Sequence, residues 1–239
     1  MNYGICNLNI VPLRFENSDR SEMVSQVLYG DLFELLEITK KWSRIRLTYD
    51  NYEGWIDNKQ FISLTENEYD QLNQLSTKLS INLLDIITTS TNELIPISIG
   101  SNVGVIDYFN HSFDGAINDF SFSKSKIIES AYSYLNSPYL WGGKTPFGID
   151  CSGFTQMVYK LNGIQLFRDA SQQVNQGEAL SFIEESVPGD LAFFDDDIGN
   201  ITHVGIIMKN NQIIHAHGKV RIDHLDHSGI FNNESQKHT

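Results

Sequence analysis

Residues 139–163 read YLWGGKTPFGIDCSGFTQMVYKLNG, and this stretch decides how the second half of the chain folds. Gly142-Gly143 and the Pro146-Phe147-Gly148 turn make an irregular loop, and a helical pattern begins directly after it. Asp150 fits an N-cap, because its side-chain oxygen can accept an orphan N–H of the first turn. Phe154, Met157, Val158 and Leu161 then recur at i, i+3, i+4 and i+7, the stripe of a helix laid on a core. Asn162-Gly163 closes it.

Cys151 opens that helix. A buried and inert thiol is one reading of any cysteine. The position favours another, since a sulfur at the positive end of a helix dipole is where thiolates are stabilised and thiol pKa values are expected to fall. Ser152 and Gly153 keep the neighbourhood small enough for a substrate to approach. Cys6 lies in a short strand-like segment with no such setting and reads as inert. Two cysteines are too few for a disulfide scaffold, and they would pair only in an oxidising compartment.

Working outward, Ser125 is expected to cap an earlier helix carrying Ile127, Ile128, Ala131 and Leu135, ended by Pro138. Beyond Pro188-Gly189-Asp190 the pattern alternates, first LAFF, then HVGIIMK and QIIHAH on either side of Asn210-Asn211, a hairpin signal. Helices followed by antiparallel strands make residues 123–239 an α+β domain. Residues 1–122 read differently. Short apolar runs with turn signals between 8 and 64, rich in β-branched and aromatic residues, predict a small all-β barrel or sandwich. Thr65 and Glu68 form a capping box for a helix over 65–79. Residues 81–122, with Ile86-Ile87, Ile95 to Ile99 and Val103 to Ile106, are expected to add strands. The chain is therefore read as two domains, in keeping with a length prior of about 1.6.

The 239 residues carry 17 Lys and Arg against 30 Asp and Glu, a formal charge of -13. That balance argues against nucleic acid and against an anionic lipid surface as partners. A hydrophobic fraction of 41% is enough for a buried core and excludes disorder. The first basic residue is Arg14, so the start lacks the charged region of a secretory signal, and no apolar run is long enough for a membrane span. A soluble, cytoplasmic protein with reduced thiols is expected, its oligomeric state left open.

A thiol nucleophile needs a base and a group to orient that base. His111 lies in the first half, and His224, His227 and His238 in polar sequence. His203, His215 and His217 fall on the two arms of the hairpin. Parity supplies a test. A strict two-residue Asn210-Asn211 turn would pair 209 with 212 and place His203 and His215 on opposite faces, whereas an odd-length loop or a bulge would bring them together.

The order VPLR, a polar loop, a Gly-Asp turn, then GWI resembles bacterial SH3-like domains over roughly 55 residues. The segments PYLWGGKTPFGIDCSGF, VPGDLAFF, ITHVGIIM and IIHAHGKVRID resemble the NlpC family of papain-like cysteine peptidases, from about Ser123 to Asn232. The nearest likeness is to cytoplasmic γ-D-glutamyl–diamino-acid endopeptidases with N-terminal SH3-like domains. This resemblance implies Cys151 as nucleophile, His203 as general base and His215 as the residue orienting it, with His217 a competitor for the third role. Tyr139 matches a family tyrosine near the nucleophile, implying contact with oxyanion or substrate. Asp169 matches the carboxylate that binds a substrate's free amine. Asp150 and Ser152 flank the nucleophile and are assigned to the D-Glu subsite, while Glu22 and Tyr52 resemble SH3-like residues that close the pocket. Arg168 is left to answer a substrate carboxylate or to pair with Asp169.

The implied substrate is a small murein peptide, L-Ala-γ-D-Glu-diaminopimelate or its Lys counterpart, cut before the diamino acid without metal or other cofactor. The spacing of Cys151 and the histidines matches no structural zinc pattern, and Asp195-Asp196-Asp197 lacks the glycine and distal glutamate of an EF-hand loop. A non-catalytic cell-wall-binding module, or an amidase or acyltransferase using the same cysteine, is the alternative. Family members usually continue past the region ending here at Thr239 with a further strand, whose loss would expose a sheet edge.

Overall fold

The computed structural model describes residues 2–118, 120, 123–232 and 236–238. It divides into two compact units, residues 1–119 and 120–239. The expected boundary at 122/123 falls partly outside the described residues.

The first unit is built on an antiparallel sheet. Its strands are β1 (Asn2–Ile5), β2 (Ile10–Arg14), β3 (Met23–Leu28), β4 (Leu32–Ile38), β5 (Trp42–Leu47), β6 (Glu53–Asp57) and β7 (Ile62–Leu64), in the order β3-β2-β6-β5-β4-β1-β7. Strand β1 precedes the residues 8–64 expected to hold the barrel. It pairs with β4 through Ile5–Leu32 and with β7 through Ile5–Ile62. Its four residues include Gly4, which lies so close to the Phe33 ring that a Cβ there would come within 2.4 Å. That packing leaves no alternation for the sequence to display. Val11, Leu13, Val27, Phe33, Ile45 and Ile56 fill the centre together with Cys6. Burial pushes the Cys6 thiol up to about 12, so it is an inert core thiol.

Thr65 and Glu68 cap each other as expected, but helix α1 runs only over Glu66–Asn73. Leu72 is its one buried side chain, and Leu75 is exposed. Leu79, expected inside the helix, is buried in an isolated bridge to Asn102 instead. Of the further strands, β8 (Leu84–Thr88) and β9 (Leu94–Ser98) form a hairpin. Val103–Val105 is not a strand but a 3₁₀ turn, because the Asn102 side chain accepts the Gly104 N–H at 3.0 Å and bends the chain. Both valines are buried against Tyr3, Tyr29, Ile87 and Ile97.

The second unit begins with α2 (Lys124–Tyr132), capped by Ser123 rather than Ser125 and ending before Leu135. Two short strands, β10 (Lys144–Thr145) and β11 (Gly148–Ile149), fold the glycine loop into a miniature hairpin. Helix α3 (Cys151–Leu161) follows, buried along its whole length, and then the single turn α4 (Ala170–Gln173). Strands β12 (Leu191–Asp195), β13 (Ile201–Met208), β14 (Gln212–His217), β15 (Lys219–Asp226), β16 (Gly229–Asn232) and β17 (Lys237–His238) pair in sequence order as an antiparallel sheet. Its last strand is two residues long, pairing Phe231 with His238, which leaves a short edge. The Tyr159 hydroxyl on α3 donates to the Gly189 carbonyl, tying the Pro-Gly-Asp turn to the helix. No helix among the described residues is long and apolar enough to cross a membrane.

Candidate active site

Asp150 holds the start of α3 with both carboxylate oxygens. Oδ1 accepts the Gly153 N–H at 2.6 Å, and Oδ2 accepts the Gly142 N–H at 2.8 Å, so the N-cap also fastens the glycine loop to the helix. Gly153 has to be small, since a Cβ there would lie 2.2 Å from the Gly143 carbonyl oxygen. The Arg168 guanidinium approaches the same carboxylate as a fork, Nη1 to Oδ1 at 3.0 Å and Nη2 to Oδ2 at 2.5 Å. Nη1 also donates to Ser152 Oγ at 3.0 Å. Arg168 is 1% exposed, so this is a buried, bidentate ion pair. Arg168 therefore pairs with Asp150, a partner the sequence reading did not name.

Cys151 packs against Ala170 and Val204, and its thiol does not have the lowered pKa expected of a helix N-terminus. Burial pushes it up to about 11, and the Asp150 charge adds to the rise. The backbone N–H groups of Val204 and Ser152, with the Arg168 guanidinium, pull the other way and offset only part. The helix dipole alone would favour the thiolate, but the loss of water and the capping carboxylate outweigh it.

The hairpin settles the parity question. Met208 pairs with Gln212 and Gly205 with His215, so the loop is the three residues Lys209, Asn210 and Asn211 and the register pairs odd with odd. Asn210 and Asn211 both adopt positive φ, at 60° and 53°, a conformation asparagine tolerates. His203, His215 and His217 consequently share one face. His203 Nε2 is 2.8 Å from His215 Nδ1, the two rings edge to face. His217 stacks parallel to His215 with centroids 6.2 Å apart and is exposed. His215 is thus the histidine hydrogen-bonded to His203.

A register shift places Asp195 opposite Ile201 while Phe194 stays opposite His203. Thr202 is the extra residue of this bulge, a device that re-aims neighbouring side chains. On the other side of β13 the ladder to β14 ends at Gly205–His215. Just past that point the Val204 N–H is directed at the Cys151 sulfur, so the thiol lies where the two strands part. Cys151, His203, His215, His217, Tyr139 and Thr202 line one cavity of about 360 Å³. Burial lowers the pKa of His203 to about 3, helped by the neighbouring His215 and His217. Burial likewise lowers that of His215. Tyr139 is pushed up to about 12, chiefly by burial and then by its nearness to Cys151 and Asp150.

Asp169 is half-buried at the N-cap of α4, and its own N–H is accepted by Gln172 Oε1 at 3.3 Å. The next residue, Ala170, packs on Cys151. Asp150 and Ser152 lie buried behind the cavity and are engaged by Arg168, so neither presents a free side chain to it. Glu22 and Tyr52 belong to the first unit, Glu22 exposed and Tyr52 packed against the barrel core. The sequence reading assigned no role to Asp223. Its Oδ2 is 3.1 Å from His215 Nε2, and it is 1% exposed. The signal was an oppositely charged pair, Arg221 and Asp223, at alternate positions of the strand that follows the histidine arm. Among the described residues no group of three or more His, Cys, Asp or Glu side chains is placed to hold a metal ion.

Residues 136–237 match the NlpC/P60 family. This half of the chain is an NlpC/P60 cysteine peptidase domain. Ahead of it, residues 13–61 match the bacterial dipeptidyl-peptidase SH3 domain, so the SH3-like barrel and the peptidase domain occur in the order expected. The chain is similar to Dipeptidyl-peptidase 6 of Lysinibacillus sphaericus, 27% identical with 86% of this chain and 85% of that protein covered. It is also similar to the gamma-D-glutamyl-L-lysine dipeptidyl-peptidase of Bacillus cereus, 25% identical over 83% of this chain and 68% of that protein. A crystal structure of an NlpC/P60 family protein from Bacillus cereus has the same fold, with a TM-score of 0.76 at 19% identity, covering 92% of this chain and 93% of that one.

Proposed function

We propose that this NlpC/P60 protein hydrolyses the γ-D-glutamyl–diamino-acid bond of small cell-wall peptides with a free amino-terminal L-Ala, in cytoplasmic recycling of murein. The observation that carries the chemistry is one cavity lined by Cys151 and by a His203 hydrogen-bonded to His215. Thiol and imidazole both start neutral. As the sulfur attacks the amide carbonyl carbon, His203 takes the thiol proton, so a nucleophile forms only when a substrate is present to receive it. The oxyanion of the tetrahedral intermediate is stabilised by the Cys151 N–H at the head of α3 and by the Tyr139 hydroxyl, which its raised pKa keeps protonated. His203 gives its proton to the leaving amine and then activates water to release the acyl enzyme. The intact cavity weighs against a non-catalytic binding module.

The substrate class rests on the names of the relatives above and on the dipeptidyl-peptidase SH3 match. Asp169 is assigned the substrate ammonium, supported by its place beside Ala170 at the nucleophile. A peptide panel varying the amino terminus and the third residue tests this. Acetylating the L-Ala nitrogen removes the charge that the carboxylate answers and is expected to lower kcat/KM by on the order of 100-fold or more. Equal cleavage of free and acetylated peptides would refute end recognition, and cleavage of a different amide would favour an amidase.

A further inference from the structure

Five polar groups run in series from the cavity into the sheet. Asp223 Oδ2 is 3.1 Å from His215 Nε2, and His215 Nδ1 is 2.8 Å from His203 Nε2. The Arg221 Nε lies 2.7 Å from Asp223 Oδ2, its Nη2 donates to Oδ1 at 3.0 Å, and the same Nη2 donates to Asn232 Oδ1 at 3.0 Å. A carboxylate only accepts hydrogen bonds, so His215 must carry its proton on Nε2. Neutral His215 then offers a lone pair at Nδ1. His203 is obliged to donate from Nε2, and its own Nδ1 is left as a bare lone pair.

We propose that Asp223 is a positioning residue which, through His215, fixes His203 in the tautomer whose Nδ1 can accept the thiol proton. The proposal rests on the reading of Cys151 and His203 as nucleophile and base. Burial explains why a carboxylate can do this without charging the histidine beside it. Loss of water, helped by His217 and least by the Arg221 guanidinium, outweighs the pull of Asp223 and holds His215 below its ordinary pKa. Asp223 thus selects a proton position while both rings stay neutral, which a mere counter-ion for Arg221 would not require.

Asp223→Asn separates the two roles. Asparagine has one oxygen, which the hydrogen bond from Arg221 Nη2 keeps at the Oδ1 position, so the amide NH₂ takes the place of Oδ2 facing His215. His215 then protonates on Nδ1, and His203 is driven to the Nδ1–H form that cannot act as base. Long-range ¹H–¹⁵N spectra of the full chain are expected to show Nε2–H for both histidines in the wild type and Nδ1–H for both in the variant. The kcat is expected to fall on the order of 100- to 10,000-fold, with KM changed less than about threefold. In a His215→Gln background the same substitution is expected to cost no further kcat. An Nδ1–H wild-type His215, unchanged tautomers in the variant, or an equal loss in both backgrounds would overturn the proposal. If Asp223→Asn does not fold, the wild-type spectrum alone decides. A wild type that cleaves no peptide would refute the function proposed above, while the spectra still report on Asp223.

Discussion

Cys151 and His203 line one cavity, and burial holds both uncharged, the thiol raised to about 11 and the imidazole lowered to about 3. Two consequences follow for pH. The base remains available far below the ordinary histidine range, so the acid limb of kcat/KM is expected below pH 5, read from a pH–rate profile. A limb between pH 6 and 7 would contradict the neutral pair. Stability moves the same way for a different reason. The unfolded chain takes up the proton first, near 6.5, while the folded His203 and His215 do not. Their contribution is complete above about pH 6.5 and is lost as pH falls towards the folded values. Tm is therefore expected to drop from pH 6.5 to 4, and His203→Gln to flatten that drop. An unaltered slope would mean His203 is not protected from protons. The sequence could not show this residue-scale chemistry. The cap and helix start were legible in Asp150-Cys151, but the loss of water around them comes from tertiary packing.

At the scale of elements, α3 was legible because every local signal agreed. The cap, the period and the closing Asn162-Gly163 named the same helix, and all eleven residues proved buried. The hairpin was half legible. Asn210-Asn211 marked the turn, but the three-residue loop that puts the histidines on one face is a matter of register. The 3₁₀ turn at Val103–Val105 was misread because an apolar run looks the same in a strand and in a buried turn. The Arg168–Asp150 pair joins residues far apart in sequence, and no spacing rule points to it. That pair carries an element-scale expectation. Arg168→Ala leaves the Asp150 carboxylate buried without its partner and loosens the glycine loop from α3. It should cost about 3–5 kcal/mol in denaturant unfolding. A loss under about 1 kcal/mol would mean that water replaces the guanidinium.

For the whole molecule, the two-unit order was legible from composition and motifs, since an alternating β half gives way to a helix-then-strand half near residue 120. The very short β1, and the edge strand β17, were not, because strands of four and two residues show no pattern of their own. The charge of -13 first served only to exclude polyanions. In the proposed function Asp169 has a task, to answer a substrate ammonium. The central claim is that the thiol at the head of α3 cuts one particular bond. The direct measurement is mass spectrometry of L-Ala-γ-D-Glu-diaminopimelate incubated with the wild-type chain and with Cys151→Ala. The expected result is L-Ala-γ-D-Glu and free diaminopimelate from the wild type and intact peptide from the variant. An uncut peptide with the wild type, or equal cleavage by the variant, would contradict it.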